Sequence, residues 1–350
     1  MEVFGSRMNL HFTMGNGAVD DAIGKLLAMV HVHHPEIIRE MIIAALKAGQ
    51  EEAIRADLKL MNTTLKEMRF TSKVFGPYRN RKKVTVFGSA RTSPDEAVYG
   101  MARLFGCKLA EAGYMVVTGA GGGIMKAVNE GAGPNCSFGV NIRLPFEQKP
   151  NPTLEGNPRL ITYKYFFNRK VAFLKEASAV ALFPGGFGTL DEAMETLTLI
   201  QTGKRNPMPL VLIDEPGGTY WSHWQKFFED ELLARGYLSQ TDFNLFERVN
   251  SVDDAVECIN RFYRRYHSQR YVDRRLVIRL SSQLSPQALE ELKERFHDIL
   301  TPGGDIYSSC PLPEEESDEE QFADLPRLII DFNRKDFGRL RMFIDAINSF

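Results

Sequence analysis

The sequence predicts an α/β protein built on a doubly wound parallel sheet, and three observations carry that expectation. From Lys82 to His267 short β-rich runs alternate with amphipathic stretches such as Ala97–Ala112 and Thr189–Gln201, the texture of strand–helix–strand units. Several of the runs are apolar nearly throughout, as strands covered on both faces are. Three of them end in glycine-bearing turns. The expected strands are Val84–Phe87, Met115–Thr118, Phe138–Ile142, Leu160–Tyr163, Ala179–Phe183 and Leu210–Ile213. A chain of 350 residues has room for more than one domain. Its texture divides into a helical extension over 1–80, a Rossmann-like nucleotide-binding domain over 81–270 and a small α/β appendage over 271–350.

The flanking segments follow from their periodicity. Ile23, Leu26, Leu27 and Val30 form one helical apolar face; Ile37, Ile38, Met41, Ile42 and Leu46 form a second; Ile54, Leu58, Met61 and Leu65 form a third. Pro35 suits the first turn of the second helix. Three such helices make too small a set to bury a large core alone, so they are expected to pack on the sheet domain or on another subunit. At the far end, Leu276–Leu280 and Arg327–Phe332 read as strands, and Pro286–Leu300 and Lys335–Ile347 as helices. The acidic tract Glu314-Glu315-Glu316-Ser317-Asp318-Glu319-Glu320 between them reads as a solvated loop.

Composition narrows the function. With 43 Lys+Arg against 45 Asp+Glu the formal net charge is −2, which argues against a broadly basic nucleic-acid binder. No apolar run approaches the roughly 20 residues of a membrane span, and Met1-Glu2-Val3-Phe4-Gly5 does not open a signal peptide. The four cysteines are scattered without a C-x-x-C pair, unlike a zinc cage or a secreted disulfide framework. A cytoplasmic protein without nucleic-acid or membrane partners is expected. His31, His33 and His34 stand between two helices with no carboxylate or cysteine spaced to join them, so no metal is expected.

The chemistry gathers at the three turns: Gly88-Ser89-Ala90-Arg91, Gly119-Ala120-Gly121-Gly122-Gly123-Ile124-Met125 and Pro184-Gly185-Gly186-Phe187-Gly188-Thr189. In an open α/β sheet, ligands sit beyond the carboxyl ends of the strands. Glycines there let backbone amides approach a phosphate, and the helix that follows presents free N–H groups. Three such turns on one rim predict a nucleotide or sugar phosphate. Absences narrow the choice. Gly203-Lys204 lacks the rest of a Walker loop, and Ile124 stands where G-x-G-x-x-G needs its third glycine, with no acid about 20 residues further on. ATP hydrolysis and hydride transfer both lose ground.

The residues resemble a known family. Pro184-Gly185-Gly186-Phe187-Gly188-Thr189-Leu190-Asp191-Glu192 is similar to the P-G-G-x-G-T-x-x-E signature of the Lonely Guy family of nucleotide phosphoribohydrolases, many of which carry the older label "lysine decarboxylase-like". Asn168-Arg169-Lys170 resembles the Arg-Lys pair of its second signature. Asn141-Ile142-Arg143-Leu144-Pro145-Phe146-Glu147-Gln148 resembles its longer bacterial members, the nucleotide 5′-monophosphate nucleosidases. The resemblance covers about Lys82 to His267. Phe167-Asn168 departs from the Met-His of compact members, which leaves the base preference open.

The resemblance implies hydrolysis of the N-glycosidic bond of a nucleoside 5′-monophosphate to free base and ribose 5-phosphate. Adenosine 5′-monophosphate or a related purine nucleotide is the broad expectation, with cytokinin riboside monophosphate among the alternatives. It implies Arg169 and Glu192 as catalytic residues, no cofactor, and a homodimer or larger assembly. Substrate contacts are expected from Gly88, Ser89, Gly121, Gly122, Gly123, Met125, Glu147, Lys170, Gly185, Gly186, Gly188 and Thr189. A carboxylate suits this chemistry because it steadies an oxocarbenium-like state and activates water. Spacing alone leaves another reading open, since Thr189-x-x-Glu192 is also a helix capping box. Arg169 likewise reads as an ordinary surface helix residue, and Lys170 as a solvated one. A non-catalytic nucleotide or cofactor carrier on the same scaffold remains the alternative function, because fold alone does not fix activity. Lysine decarboxylation has no support, because no lysine stands in a pyridoxal-phosphate context.

Overall fold

The structure, a computed structural model, describes residues 12–52, 54–145, 149–315 and 322–350. They divide into two compact units, one ending at Arg69 and one running from Phe70 to Phe350. In the first, α1 (Gly17–Met29) and α2 (Pro35–Glu51) precede α3 (Arg55–Phe75), which runs on into the second. Asn16 caps α1 by accepting from the amides of Ala18 and Val19, and Arg39 pairs with Asp20 at 2.6 Å. Ile23 and Ile43 are buried, whereas Leu26, Met29, Val30, Ile37 and Met41 are exposed.

The second unit carries the main sheet. Its strands are β1 (Lys83–Phe87), β2 (Met115–Thr118), β3 (Ser137–Ile142), β4 (Leu160–Tyr163), β5 (Ala179–Leu182), β6 (Leu210–Ile213) and β7 (Glu247–Val249). They stand in the order β4-β3-β2-β1-β5-β6-β7, all parallel. Connecting them are α4 (Ala97–Glu111), α5 (Ile124–Ala132), α6 (Phe166–Lys175), α7 (Phe187–Gln201) and α8 (Tyr220–Phe227), and α9 (Val252–Phe262) follows β7. This is the doubly wound α/β fold that the sequence predicts. Strands β1, β2, β3, β5 and β6 are buried along their whole length, which is why they read as continuous apolar runs. The edge strand β7, Glu-Arg-Val, is half exposed and carries no such signal.

Chain order fixes where a ligand belongs. Winding proceeds outward from β1 to β4, then returns so that β5 lies against the other side of β1. The turns after β1 and β5 therefore diverge to opposite faces and leave a crevice between them, the switch point where ligands bind in such sheets.

A second, antiparallel sheet has the order β10-β11-β9-β8, from β8 (Tyr266–Val272), β9 (Arg275–Leu280), β10 (Ile306–Ser309) and β11 (Arg327–Ile330), with α10 (Pro286–Arg295) and α11 (Phe337–Ser349). Strand β8 escapes sequence reading because His267, Ser268 and Arg270 are only half-buried and polar. The second sheet is tied closely to the first. Phe262 and Tyr266 share a core with Ile278, Leu328 and Phe343. The buried Arg341 pairs with Glu247 of β7 at 3.0 Å and donates to the Met208 carbonyl at 3.3 Å, and Asn348 donates to the Phe262 carbonyl at 2.6 Å. The acidic tract also differs from the solvated loop expected, since Glu315 lies between the buried Arg279 and Arg327, both at 3.0 Å. Burial raises its carboxyl, but hydrogen bonds from the two arginines overcome this and bring it down to about 2. Residues 316–320 of the tract lie outside the described residues.

Candidate active site

The crevice between the β1 and β5 turns holds a cavity of about 610 Å³, within the range of small-molecule sites. From the first turn Gly88 and Ser89 line it; from the third, Gly186, Gly188 and Thr189; Arg169 and Glu192 complete the wall. Helix α7 begins at Phe187 with Gly186 as its cap and no side chain bonded across its end. Its first amides and positive dipole end therefore open on the cavity. Gly185 lies behind this loop, its carbonyl accepting from the Tyr220 hydroxyl at 2.6 Å.

The second turn sits differently from the other two. Gly121, Gly122 and Gly123 are not on the cavity wall, and only Met125 reaches it from this segment. The cause is a backbone lock. Gly123 adopts φ +58°, where a side chain is strained, and a Cβ there would collide with the Ser89 carbonyl. That approach lets the Ile124 amide donate to the Ser89 carbonyl at 3.0 Å, so the first amide of α5 is spent on the first turn. Sequence reading also missed the buried polar brace behind it. Asn151 donates to Asn129 at 3.0 Å and to the Gly121 carbonyl at 3.2 Å, while Thr118 donates to Asn129 at 2.7 Å. An isolated asparagine on a loop gives no signal of this in sequence.

Arg169 is held for work on one edge. Its Nε donates to the Val140 carbonyl at 3.0 Å, and the guanidinium lies 5.0 Å from the Phe173 ring centre and 5.7 Å from that of Phe166. A Cβ at position 119 would fall 2.6 Å from Nη2 and 2.8 Å from the Met125 sulfur. Gly119 is thus required for close approach, because its bare backbone makes the seat on which the arginine rests. Burial lowers the Arg169 pKa, with Glu192 opposing. The fork keeps its charge, since arginine starts above 12.

Glu192 is 7% exposed. It is not a capping residue. With α7 starting at Phe187, Thr189 is the third helical residue rather than the cap, and Glu192 lies most of a turn further in. Its Oε1 stands 3.6 Å from the Lys170 ammonium, and its Oε2 has no hydrogen-bond partner among the described residues. Burial pushes the carboxyl up to about 7, against the pull of Lys170. Lys170 was expected at the substrate, but its ammonium is engaged by Asp191 at 2.7 Å and Glu195 at 2.8 Å. Glu147 lies outside the described residues.

The cavity adds residues that the sequence did not single out. Arg91 lines it, exposed and well placed to meet an anion. Phe166 and Phe187 line its mouth, the latter 93% exposed. Among the described residues no group of three or more His, Cys, Asp or Glu is placed to hold a metal ion, and no helix is long and apolar enough to cross a membrane.

Comparison with known proteins agrees with the resemblance read from the signatures. Residues 122–259 match the family described as "Possible lysine decarboxylase". The cytokinin riboside 5′-monophosphate phosphoribohydrolase of Mycobacterium marinum is 26% identical over 180 residues, covering 51% of this chain and 92% of that protein. Among solved structures, the structural-genomics target TM1055 is 25% identical, covering 51% of this chain and 98% of that one at a TM-score of 0.37. The molybdenum cofactor carrier protein of Chlamydomonas reinhardtii is 20% identical, covering 51% and 96%, at a TM-score of 0.36.

Proposed function

We propose, from the relationship of residues 122–259 to the Lonely Guy phosphoribohydrolases, that the protein hydrolyses the N-glycosidic bond of a nucleoside 5′-monophosphate. Adenosine 5′-monophosphate or a related purine nucleotide is the proposed substrate. The observation that carries this reading is Glu192, a buried carboxylate on the cavity wall with one oxygen unpartnered among the described residues.

The 5′-phosphate sits at the N-terminus of α7, with the hydroxyls of Ser89 and Thr189 beside it, and the ribose C1′ falls within reach of Glu192. As the bond between C1′ and the base nitrogen breaks, its electron pair leaves with the base and positive charge develops on the ribose ring. The Glu192 carboxylate steadies that charge and takes a proton from the attacking water, whose oxygen forms the new bond to C1′. The departing base takes up one proton and Glu192 gives its own up, so that over the cycle the water supplies OH to C1′ and H to the base. Arg169 offers two Nη groups in a planar, permanently charged fork, suited to phosphate, ribose hydroxyls or the leaving base.

The test is to incubate the purified protein with a panel of nucleoside 5′-monophosphates and detect free base and ribose 5-phosphate chromatographically. Release of base from at least one nucleotide is expected. Tight binding of nucleotide with no release from any of them would refute hydrolysis and favour the carrier reading.

A further inference from the structure

Three carboxylates crowd one turn of α7. Asp191 and Glu195 are four residues apart, and Glu192 and Glu195 three, so all face neighbouring directions on the helix. Like charges at such spacings repel and destabilise a helix. Into their midst α6 delivers a single ammonium, with Lys170 Nζ 2.7 Å from Asp191 Oδ2, 2.8 Å from Glu195 Oε2 and 3.6 Å from Glu192 Oε1. The Lys170 side chain is only 20% exposed, while those of Asp191 and Glu195 reach solvent at 57% and 30%.

We propose that Lys170, Asp191 and Glu195 form a positioning cluster, in which the lysine is held by the two outer carboxylates and in turn holds Oε1 of Glu192, leaving Oε2 for the reaction. The inference rests on the proposed function for its chemical purpose. Lys170 is then a positioning residue and makes no contact with phosphate. The geometry supports this division. The two shorter contacts go to the acids with more solvent, and the longest goes to the buried one, so most of the ammonium's hydrogen bonding is spent away from Glu192. A lysine paired with Glu192 alone would hold it firmly ionised. Shared among three acids, it offsets only part of the burial that raises the Glu192 carboxyl, and the Glu195 charge raises it further, so Glu192 keeps its proton to higher pH than an exposed glutamate. The charged groups facing Glu192 are Arg169 and Lys170 from α6 and Asp191 and Glu195 from α7, with Arg91 on the same cavity wall.

The sign of each perturbation follows. Removing the cation in Lys170→Met should raise the titration midpoint of Glu192 by about 1–3 pH units, the usual effect of an opposite charge at this range. Lys170→Arg should restore it. Removing a like charge in Glu195→Gln should lower the midpoint, and because this side chain is partly exposed the fold should tolerate the change if Lys170→Met does not. Carbon-13 NMR of glutamate-labelled protein, with the Glu192 signal assigned by its loss in Glu192→Gln, reads these midpoints without any turnover. Midpoints that stay at the wild-type value in both Lys170→Met and Glu195→Gln would overturn the proposal. For an active enzyme, the acid limb of the kcat pH profile should move in the same directions. Normal turnover in Glu192→Gln would refute the catalytic reading while leaving the NMR result to judge the cluster by itself.

Discussion

Replacing Glu192 by glutamine separates catalysis from stability, because the structure predicts opposite signs for the two. Burial raises the carboxyl from an ordinary 4.5 to about 7. In the unfolded chain the same group returns to its ordinary value. The folded protein therefore binds more protons than the unfolded one between these pH values, and stability falls as pH rises through the window. The penalty is absent below about pH 4.5, builds between 4.5 and 7, and is complete above 7. A rise of two to three pH units, at about 1.4 kcal/mol each, makes that penalty about 3 kcal/mol. Glutamine keeps the shape of the protonated acid and cannot ionise. Glu192→Gln should then be more stable than wild type at pH 8, with a melting temperature several degrees higher, and the difference should close as pH approaches 4.5. Base release above about pH 7, where the wild-type carboxylate is ionised, should fall about 10²–10⁴-fold, the usual worth of a general base. Scanning calorimetry across pH, beside a chromatographic base-release assay, reads both. A variant no more stable than wild type at pH 8 would refute the burial argument, and one that still turns over normally would refute the catalytic assignment.

Three further outcomes are expected. Arg169→Ala should lower kcat/KM at least 100-fold with an unchanged far-UV circular dichroism spectrum, and Arg169→Lys should not rescue it, since an ammonium cannot reproduce the fork bonded to Val140 and seated on Gly119. Adenosine should be a far poorer substrate than its 5′-monophosphate in kcat as well as KM, because phosphate binding positions C1′, and EDTA should leave the rate unchanged. Deleting 271–350 should abolish soluble expression rather than yield a trimmed enzyme, because it strips Arg341 from Glu247 and Met208 and uncovers Phe262 and Tyr266.

The main sheet was legible because its strands are buried on both faces, which writes burial directly into composition. Val84–Phe87 or Leu210–Ile213 admits almost no polar residue. Strands β7 and β8 were not legible for the converse reason, since each has a wet face and carries Glu247 and Arg248, or His267 and Ser268, into the ladder. The site shows a similar split. The glycine turns and the Arg169-Lys170 pair were readable as signatures. The destination of Lys170 was not, because its partners Asp191 and Glu195 are more than twenty residues away and meet it only once α6 and α7 flank the same crevice. Asn151 was invisible for the same reason, its role depending on Thr118 and Asn129 arriving from elsewhere.

The segment Thr189-x-x-Glu192 shows how one spacing supports two chemistries until the helix start is known. A capping box needs the threonine to stand outside the helix, so that its hydroxyl accepts an amide of the first turn while the glutamate folds back to the cap's own N–H. That arrangement would consume the free amides and the carboxylate together. In the structure Gly186 is the cap instead. The helix begins at Phe187 with no side chain bonded across its end, three residues earlier than a Thr189 cap would allow. Its first N–H groups stay available to a phosphate, and Glu192 moves from the third helical position to the sixth, where no orphan amide of the helix end remains for it to satisfy. That uncapped start is thus the means by which free helix amides and a buried carboxylate come to share one wall.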